Sequence, residues 1–161
     1  MIMERPIKFR ALKDDQSNCN WVYGCLVYDA AGIPRITEVD SSGKGLTFHT
    51  CIAGTEGQFT GMKDKDGVEV YDGDHDANFD VVMWCDNRNG WSLKVYDFPT
   101  KETIFCHCYN CEGNFEMDEI VDKLEIAGNI YESTPNNPTH EPTNRIHRKR
   151  NDTNNHNHPQ R

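Results

Sequence analysis

Residues 57–74 read GQFTGMKDKDGVEVYDGD and carry the clearest structural pattern of the chain. Two short apolar runs flank a polar centre in which Asp66 precedes Gly67. An Asp-Gly pair favours a tight turn, because glycine adopts positive φ without a steric penalty. Asp64, Asp66 and Asp74 can accept hydrogen bonds from the backbone N–H groups of their own turns. The stretch therefore predicts a β-hairpin whose carboxylates have structural roles.

The same strand pattern continues on both sides of this hairpin. Alternating or short apolar runs, which are typical of strands, predict further strands over residues 7–11, 21–28, 33–39, 46–52, 79–86, 91–98 and 103–109. Pro34 marks the third of these as an edge strand or an irregular strand start. The pair Asn89-Gly90 predicts the turn of a second hairpin.

One short helix is predicted near the end of the patterned region. Asn114 can cap it, and Glu116 and Asp118 are favourably placed in its first turn. Apolar residues at helical spacing define its buried side: Met117, Ile120, Val121 and Leu124. A closing strand is predicted over residues 124–131. Together these elements predict a mainly β fold, a small pseudo-barrel or bent sheet of short antiparallel strands capped by one helix.

The composition changes sharply near residue 132. All Trp, Tyr, Phe, Val and Cys residues precede this point. Residues 133–161 contain four prolines, many Asn and His residues and one aliphatic residue, so they cannot bury enough apolar surface to offset the entropy of ordering. The sequence predicts a β domain over residues 1–132 and a disordered tail over residues 133–161. The tail has five basic and two acidic residues (net +3), and the body has 12 basic and 24 acidic residues (net −12).

Several functional classes are excluded by composition. The chain of 161 residues has a net charge of −9 and a mean hydropathy of −0.79. It has no apolar run long enough for a transmembrane helix and no secretory signal. An acidic chain is a poor general binder of nucleic acid, because neutralising phosphates needs Lys and Arg. The seven cysteines are an odd number in a chain without an export signal, which indicates reduced thiols in a cytoplasm.

Four segments together resemble the YopX family of phage and prophage proteins. The most specific is residues 57–74, which follow the family pattern Q-(Y/F)-T-G-(L/M)-x-D-x-x-G-x-x-(I/V)-(Y/F)-x-G-D at nearly every marked position. The others are residues 7–11 with the following Val-Tyr-Gly of residues 22–24, residues 81–84 with a later glycine, and LEIAGNIYE at residues 124–132. The resemblance spans about residues 5–132.

This resemblance implies a mainly β, pseudo-barrel-like fold capped by a helix. It also implies a phage or prophage gene, a cytoplasmic setting and self-association, and it implies no enzymatic activity. We accordingly expect a non-enzymatic accessory protein that forms a homo-oligomer and binds a host or phage macromolecule. No membrane association and no cofactor are expected.

The strongest candidate for a chemical site is the segment Cys106-His107-Cys108-Tyr109-Asn110-Cys111. Thiolates at short spacing can share one zinc ion, which takes four tetrahedral ligands in structural sites. Cys106, Cys108 and Cys111 supply three, and His107, Cys85 or another Cys or His would supply the fourth. The alternative is that Cys106 and Cys108 lie on one face of a strand as small buried apolar residues. A small zinc protein is therefore an alternative to the cofactor-free expectation.

Two further motifs contain clustered charged residues. Asp72, Asp74 and Asp76 resemble the start of an EF-hand loop, but Ala77 replaces its glycine and Met83 its final glutamate, so no EF-hand is predicted. The tail contains the basic residues Arg145, Arg148, Lys149 and Arg150, which could contact nucleic acid or an acidic partner electrostatically. A nucleic-acid-associated module is thus a second alternative. No P-loop, Rossmann or nucleophile-elbow motif is present.

Overall fold

The computed structural model describes residues 6–15, 20–97, 99–111 and 113–132. Within these residues the chain forms two antiparallel sheets and one short helix, so the predicted mainly β class is confirmed. No closed barrel forms among them. The predicted boundary at residue 132 and the tail beyond it lie outside the described residues.

The first sheet has six strands in the order β4-β3-β2-β1-β5-β6. They are β1 (Phe9–Leu12), β2 (Trp21–Tyr28), β3 (Pro34–Val39), β4 (Leu46–Thr50), β5 (Gly57–Lys63) and β6 (Glu69–Tyr71). Pro34 is the first residue of β3, which agrees with the predicted strand start. The other predicted role, in an edge strand, is wrong, because β3 lies between β4 and β2. An isolated bridge between Lys13 and Cys51 brings the chain after β4 against the end of β1.

The second sheet has five strands in the order β10-β9-β8-β7-β11. They are β7 (Asp74–His75), β8 (Asp80–Cys85), β9 (Gly90–Asp97), β10 (Glu102–Cys106) and β11 (Gly128–Asn129). The predicted second hairpin is confirmed, because Trp84 pairs with Trp91 across β8 and β9. Asn89 has a φ of 57° in the turn between them, a conformation that Asn tolerates better than most residues.

The turn between β5 and β6 forms as the sequence predicts. The Asp64 carboxylate accepts hydrogen bonds from the N–H groups of Asp66 (2.9 Å) and Val68 (2.8 Å). Gly67 has a φ of 80°, which explains why glycine is needed there. The second oxygen of Asp64 accepts a bond from the N–H of Ile126 at 3.1 Å. One carboxylate therefore shapes the turn and also anchors the C-terminal segment.

The helix is shorter than predicted and begins later. It covers Met117–Ile120 (α1) and continues into a 3-10 turn over Val121–Lys123. Its N-cap is Glu116, which forms a reciprocal capping box with Glu119, so the prediction of Asn114 as the cap is wrong. Glutamate is an uncommon cap, but the Glu119 side chain supplies the second half of the box.

Two predicted strands are also shorter in the structure. Of residues 124–131 only Gly128–Asn129 pair, with β7, because Leu124 is buried in the main core and Ile126 packs against that core. Of residues 103–109, pairing ends at Cys106. The chain then turns into a 3-10 turn over Tyr109–Cys111.

Three buried clusters hold the fold together. The largest joins β6, β8 and β9 to α1 and the following segment: Val70, Val82, Trp91, Leu93, Met117 and Leu124. A second, centred on Ala11, Ile36 and Cys51, lies within the first sheet. The third consists of cysteines alone and lies at one end of the second sheet. Burial of apolar surface stabilises the first two clusters. The third cluster consists of thiol side chains.

A buried ion pair connects the two sheets. Arg10 on β1 donates to the Asp74 carboxylate on β7. Its guanidinium lies 4.4 Å from the ring centre of Trp21 and 4.5 Å from that of Tyr71. Asp74 also accepts hydrogen bonds from the Tyr71 N–H (2.8 Å) and the Asn129 amide (3.2 Å). These partners compensate the cost of burying two charges.

Candidate functional site

Four cysteines converge at the end of the second sheet where β8 and β10 stop. Cys85 is the last residue of β8, and Cys106 is the last residue of β10. Cys108 lies two residues after Cys106, and Cys111 ends the 3-10 turn. Their four Sγ atoms all lie within 4.8 Å of one another. The structure thus brings together the three predicted cysteines and selects Cys85 from the alternatives for the fourth position.

The sulfur atoms are close but not bonded to one another. The Sγ atom of Cys85 lies 3.6 Å from that of Cys108 and 3.5 Å from that of Cys111. The Sγ atoms of Cys106 and Cys108 lie 3.4 Å apart. A disulfide bond is about 2.05 Å long, and all four residues are free thiols.

Backbone pairing positions these thiols. Cys85 pairs with Gly90, and Cys106 pairs with Lys94, so β9 holds the ends of β8 and β10 on either side of it. The chain after Cys106 is then folded back tightly, because the N–H groups of Cys111 and Gly113 both donate to the Cys108 carbonyl (3.0 and 2.9 Å).

Gly113 is required by this turn. A Cβ atom there would lie 1.8 Å from the carbonyl oxygen of His107. Any other residue would therefore push the loop away from the end of β10.

The cluster is buried on one side and reaches the surface on the other. Cys85, Cys106 and Cys108 are buried, whereas Cys111 is partly exposed. The Asn87 amide donates to the Cys111 sulfur at 3.1 Å, and the Asn110 amide holds the Asn87 carbonyl at 2.8 Å. Asn87 was not predicted as a site residue, because a single Asn two positions after a cysteine forms no recognisable motif.

The thiols have unequal acidity. Burial opposes ionisation of Cys85, but the Arg88 N–H and the neighbouring thiols donate hydrogen bonds to it and lower its pKa to about 7. Burial and the same thiol contacts raise the pKa of Cys108 to about 12. Cys85 therefore ionises more readily than Cys108, because a thiolate at Cys85 opposes a second negative charge beside it.

His107 does not join the cluster. Its Nε2 atom lies 3.1 Å from an Asp80 carboxylate oxygen, and its ring stacks on Phe115 with the ring centres 4.8 Å apart. His107, one of the alternatives for the fourth ligand, therefore has a packing role. Cys106 and Cys108 are both buried, as the alternative without metal predicts, but they do not share a strand face, because β10 ends at Cys106.

The aspartates of the EF-hand-like segment do not converge. Asp74 faces Arg10. Asp76 accepts the N–H groups of Asn78 (2.8 Å) and Asp80 (3.0 Å) and so closes its own turn. Burial raises the pKa of Asp72 to about 6, despite a hydrogen bond from the Gly73 N–H and the attraction of Lys94.

A second feature is the outer edge of β4, an end strand of the first sheet. Val39 on β3 pairs with Leu46, and Thr37 pairs with Phe48. Val39, Leu46 and Phe48 have 65%, 61% and 55% of their surface exposed. Tyr23 and Val27 of β2 are exposed on the same side of the sheet.

Two predictions concern other regions. The predicted contact of the basic tail with nucleic acid stays a prediction, because its four residues lie outside the described part of the chain: Arg145, Arg148, Lys149 and Arg150. Among the described residues, no helix has the length and apolar character needed to cross a membrane.

Comparison with known protein families identifies the family of this chain. The family model described as YopX protein matches residues 8–136. The chain belongs to the YopX family. The YopX match runs from β1 past β11 and includes all four clustered cysteines. No curated protein matches the chain.

Proposed function

We propose that this YopX family member is a non-enzymatic accessory protein of a phage or prophage that acts in the host cytoplasm. It pairs with a second copy of itself along β4, and the resulting assembly binds a host or phage macromolecule. The observation that carries this proposal is the edge of β4, which pairs with no further strand among the described residues. There Leu46 and Phe48 are exposed, and their backbone hydrogen-bonding groups are directed away from the sheet.

The direction of these backbone groups follows from the β3–β4 register. The Asp40 N–H donates to the Gly45 carbonyl, and the Cys51 N–H donates to the Pro34 carbonyl. Backbone bonding alternates along an antiparallel pair, so Thr47 and His49 bond to β3. The N–H and C=O groups of Leu46 and Phe48 therefore point outward. An open edge of this kind is a template for another strand.

A second copy of β4 satisfies these groups with two-fold symmetry. If Leu46 of each copy lies opposite Phe48 of the other, the two strands form four N–H···O bonds. The same register places an exposed Leu beside an exposed Phe twice, and such cross-strand pairs stabilise a sheet. Isologous pairing is also the commonest arrangement in dimers.

The electrostatics are compatible with pairing of two copies along this edge. The body carries a net charge of −12, so two copies repel each other where acidic residues face. Strand β4 reads LTFHT and contains no acidic residue. Asp14 donates its N–H to the Thr50 carbonyl and ends the open edge there. In the proposed register Lys44 of the second copy comes next to Asp14, an opposite charge.

A non-enzymatic role is supported by how the described ionisable groups are used. Arg10 and Asp74 form the buried pair between the sheets. Asp64 shapes the β5–β6 turn, and Arg88 pairs with Glu116 near α1. These groups act on the fold itself, and catalytic groups instead converge on a cavity.

The test is the molar mass of the full-length protein in solution as a function of concentration, measured by light scattering after size-exclusion chromatography. We expect the wild type to form dimers or larger assemblies. The variant Phe48→Lys should be monomeric, because it places charges opposite the apolar residues of the other copy. Ile104→Lys is the matched control, since Ile104 is an exposed residue of the other end strand, β10. A monomeric wild type, or equal effects of the two variants, would overturn the proposal.

A further inference from the structure

We propose that Cys85, Cys106, Cys108 and Cys111 bind one zinc ion, which fixes the end of the second sheet. This site is independent of the β4 edge, because it lies in the other sheet and uses none of the same residues. The ion would bind as a structural centre with all four positions occupied by protein sulfur.

The distances are those of a nearly formed tetrahedral site. Zinc–thiolate bonds are about 2.3 Å long, so the sulfur atoms of a regular tetrahedron lie about 3.8 Å apart. Three of the sulfur pairs here lie 3.4–3.6 Å apart, and all lie within 4.8 Å. Small side-chain rotations are enough to bring the four sulfurs around one ion.

The donor set selects the class of metal. Four thiolates suit a soft, tetrahedral ion, whereas calcium and magnesium require oxygen ligands. An iron–sulfur cluster needs room between the cysteine sulfurs for several iron and sulfide atoms, and sulfurs within 4.8 Å leave space for a single ion. Zinc is the ion that four-cysteine sites of this kind hold most often in structural roles.

Polar groups around the sulfurs are placed to stabilise the bound state. Four thiolates and one Zn²⁺ carry a net charge of −2. The Asn87 amide donates to Cys111, and the Arg88 N–H donates to Cys85. The Ser92 hydroxyl lies 3.3 Å from the Cys106 sulfur and can donate to it when the thiol is ionised. Hydrogen bonds to ligand atoms orient them and spread their charge.

Bound zinc would also stabilise an end of the second sheet that has little buried apolar surface. The third buried cluster contains cysteines only. Strand β10 is exposed over its first four residues, so it gains little from apolar burial. Binding converts each protonated thiol to a thiolate and releases its proton to solvent. The zinc–sulfur bonds then tie β8, β10 and the loop before α1 to a single point.

Cobalt(II) titration tests this site, because a tetrahedral thiolate site gives sulfur-to-cobalt charge-transfer absorption that a site of oxygen ligands does not. The reduced, metal-free full-length protein is titrated without oxygen. We expect the absorption to saturate at one cobalt per chain and to disappear when one equivalent of zinc is added.

Variants connect the signal to the four cysteines. Cys111→Ser changes the partly exposed ligand and should weaken cobalt binding at least tenfold, and Cys85→Ser should do the same. Cys25→Ser is the matched control, because Cys25 is an exposed thiol outside the cluster. Circular dichroism shows whether each variant folds. If the buried-site variant Cys85→Ser does not fold, the cobalt affinity of Cys111→Ser decides the test. Absence of the charge-transfer band in folded wild type, unchanged binding by Cys111→Ser, or iron in place of zinc in the purified protein would overturn the proposal.

Discussion

The Sγ atoms of Cys85 and Cys111 lie 3.5 Å apart, although the two residues are 26 positions apart in the sequence. Cys85 reaches this position because β8 pairs with β9 to its last residue, and Cys111 because β10 pairs with the other side of β9. Both strands must therefore be in register before the cluster exists. The arrangement of the cluster therefore depends on the pairing of β8 and β10 with β9.

Removing the metal should loosen this end of the molecule selectively. If zinc binds the native state and not the unfolded chain, a strong chelator lowers the melting temperature. We expect a decrease of about 10 °C, which corresponds to a few kcal/mol for a domain of this size. Differential scanning fluorimetry with and without chelator measures it.

Amide hydrogen exchange shows which part of the molecule loses stability when the metal is removed. Amide exchange should accelerate at β10 and the turn after it when the chelator is added, and should stay unchanged at β2 and β3. Equal acceleration in both sheets would mean that the ion does not act locally at the cluster.

The Arg10–Asp74 pair should be among the most sensitive positions of the fold. Only 9% of the Arg10 side chain and 2% of the Asp74 side chain is exposed. Removing one partner leaves the other charge buried, which costs about 3–5 kcal/mol. Arg10→Met should lower the free energy of unfolding by that amount in urea denaturation. Lys65→Met, which breaks the exposed pair with Glu125, should leave it nearly unchanged; similar losses for both variants would contradict the structure.

Asp72 should make stability depend on pH. Burial raises its pKa to about 6, above the value of about 3.9 in an unfolded chain. As the pH rises from about 4 to 6, the unfolded state loses this proton first, so the folded state loses stability and keeps that penalty at neutral pH.

Asp72→Asn removes this penalty. We expect the variant to be about 2 kcal/mol more stable than wild type at about pH 8, and to have no advantage at about pH 3.5. Urea denaturation at both pH values measures the difference. An advantage of the same size at both values would show that the charge of Asp72 is not its cause.

Gly24 should not tolerate a side chain. A Cβ atom there would lie 2.1 Å from the backbone oxygen of Thr37 on β3, so β2 and β3 would have to separate. Gly24→Ala should cost at least about 2 kcal/mol in the free energy of unfolding. Gly54→Ala is the control: nothing lies within 4 Å of its Cβ position, and only the φ of 85° opposes it, at about 1 kcal/mol. A loss at Gly24 no larger than that at Gly54 would contradict this β2–β3 packing.

Local chemistry made much of the fold predictable from the sequence. The turn at Asp66-Gly67 and the hairpin at Asn89-Gly90 depend on φ preferences and short hydrogen bonds, which a few residues determine. Residues 124–131 have the apolar content of a strand, but Leu124 and Ile126 pack into the main core beside β6, β8 and β9. That outcome depends on tertiary contacts and is absent from local pattern.

The four-cysteine cluster was likewise predictable only in part. Cys106, Cys108 and Cys111 are neighbours in the sequence, so their grouping was predicted from spacing. For the fourth position the sequence leaves His107, Cys85 or another Cys or His as alternatives. The structure turns His107 toward Asp80 and Cys85 toward the other thiols, because strand register decides which side chain faces the cluster.

Native mass spectrometry of the full-length protein, purified without chelator under reducing conditions, tests the zinc centre most directly. We expect every subunit, whether in a monomer or an assembly, to carry one zinc ion, and Cys25→Ser to carry the same. Subunits with the mass of the metal-free chain, from protein that is folded and reduced, would contradict it.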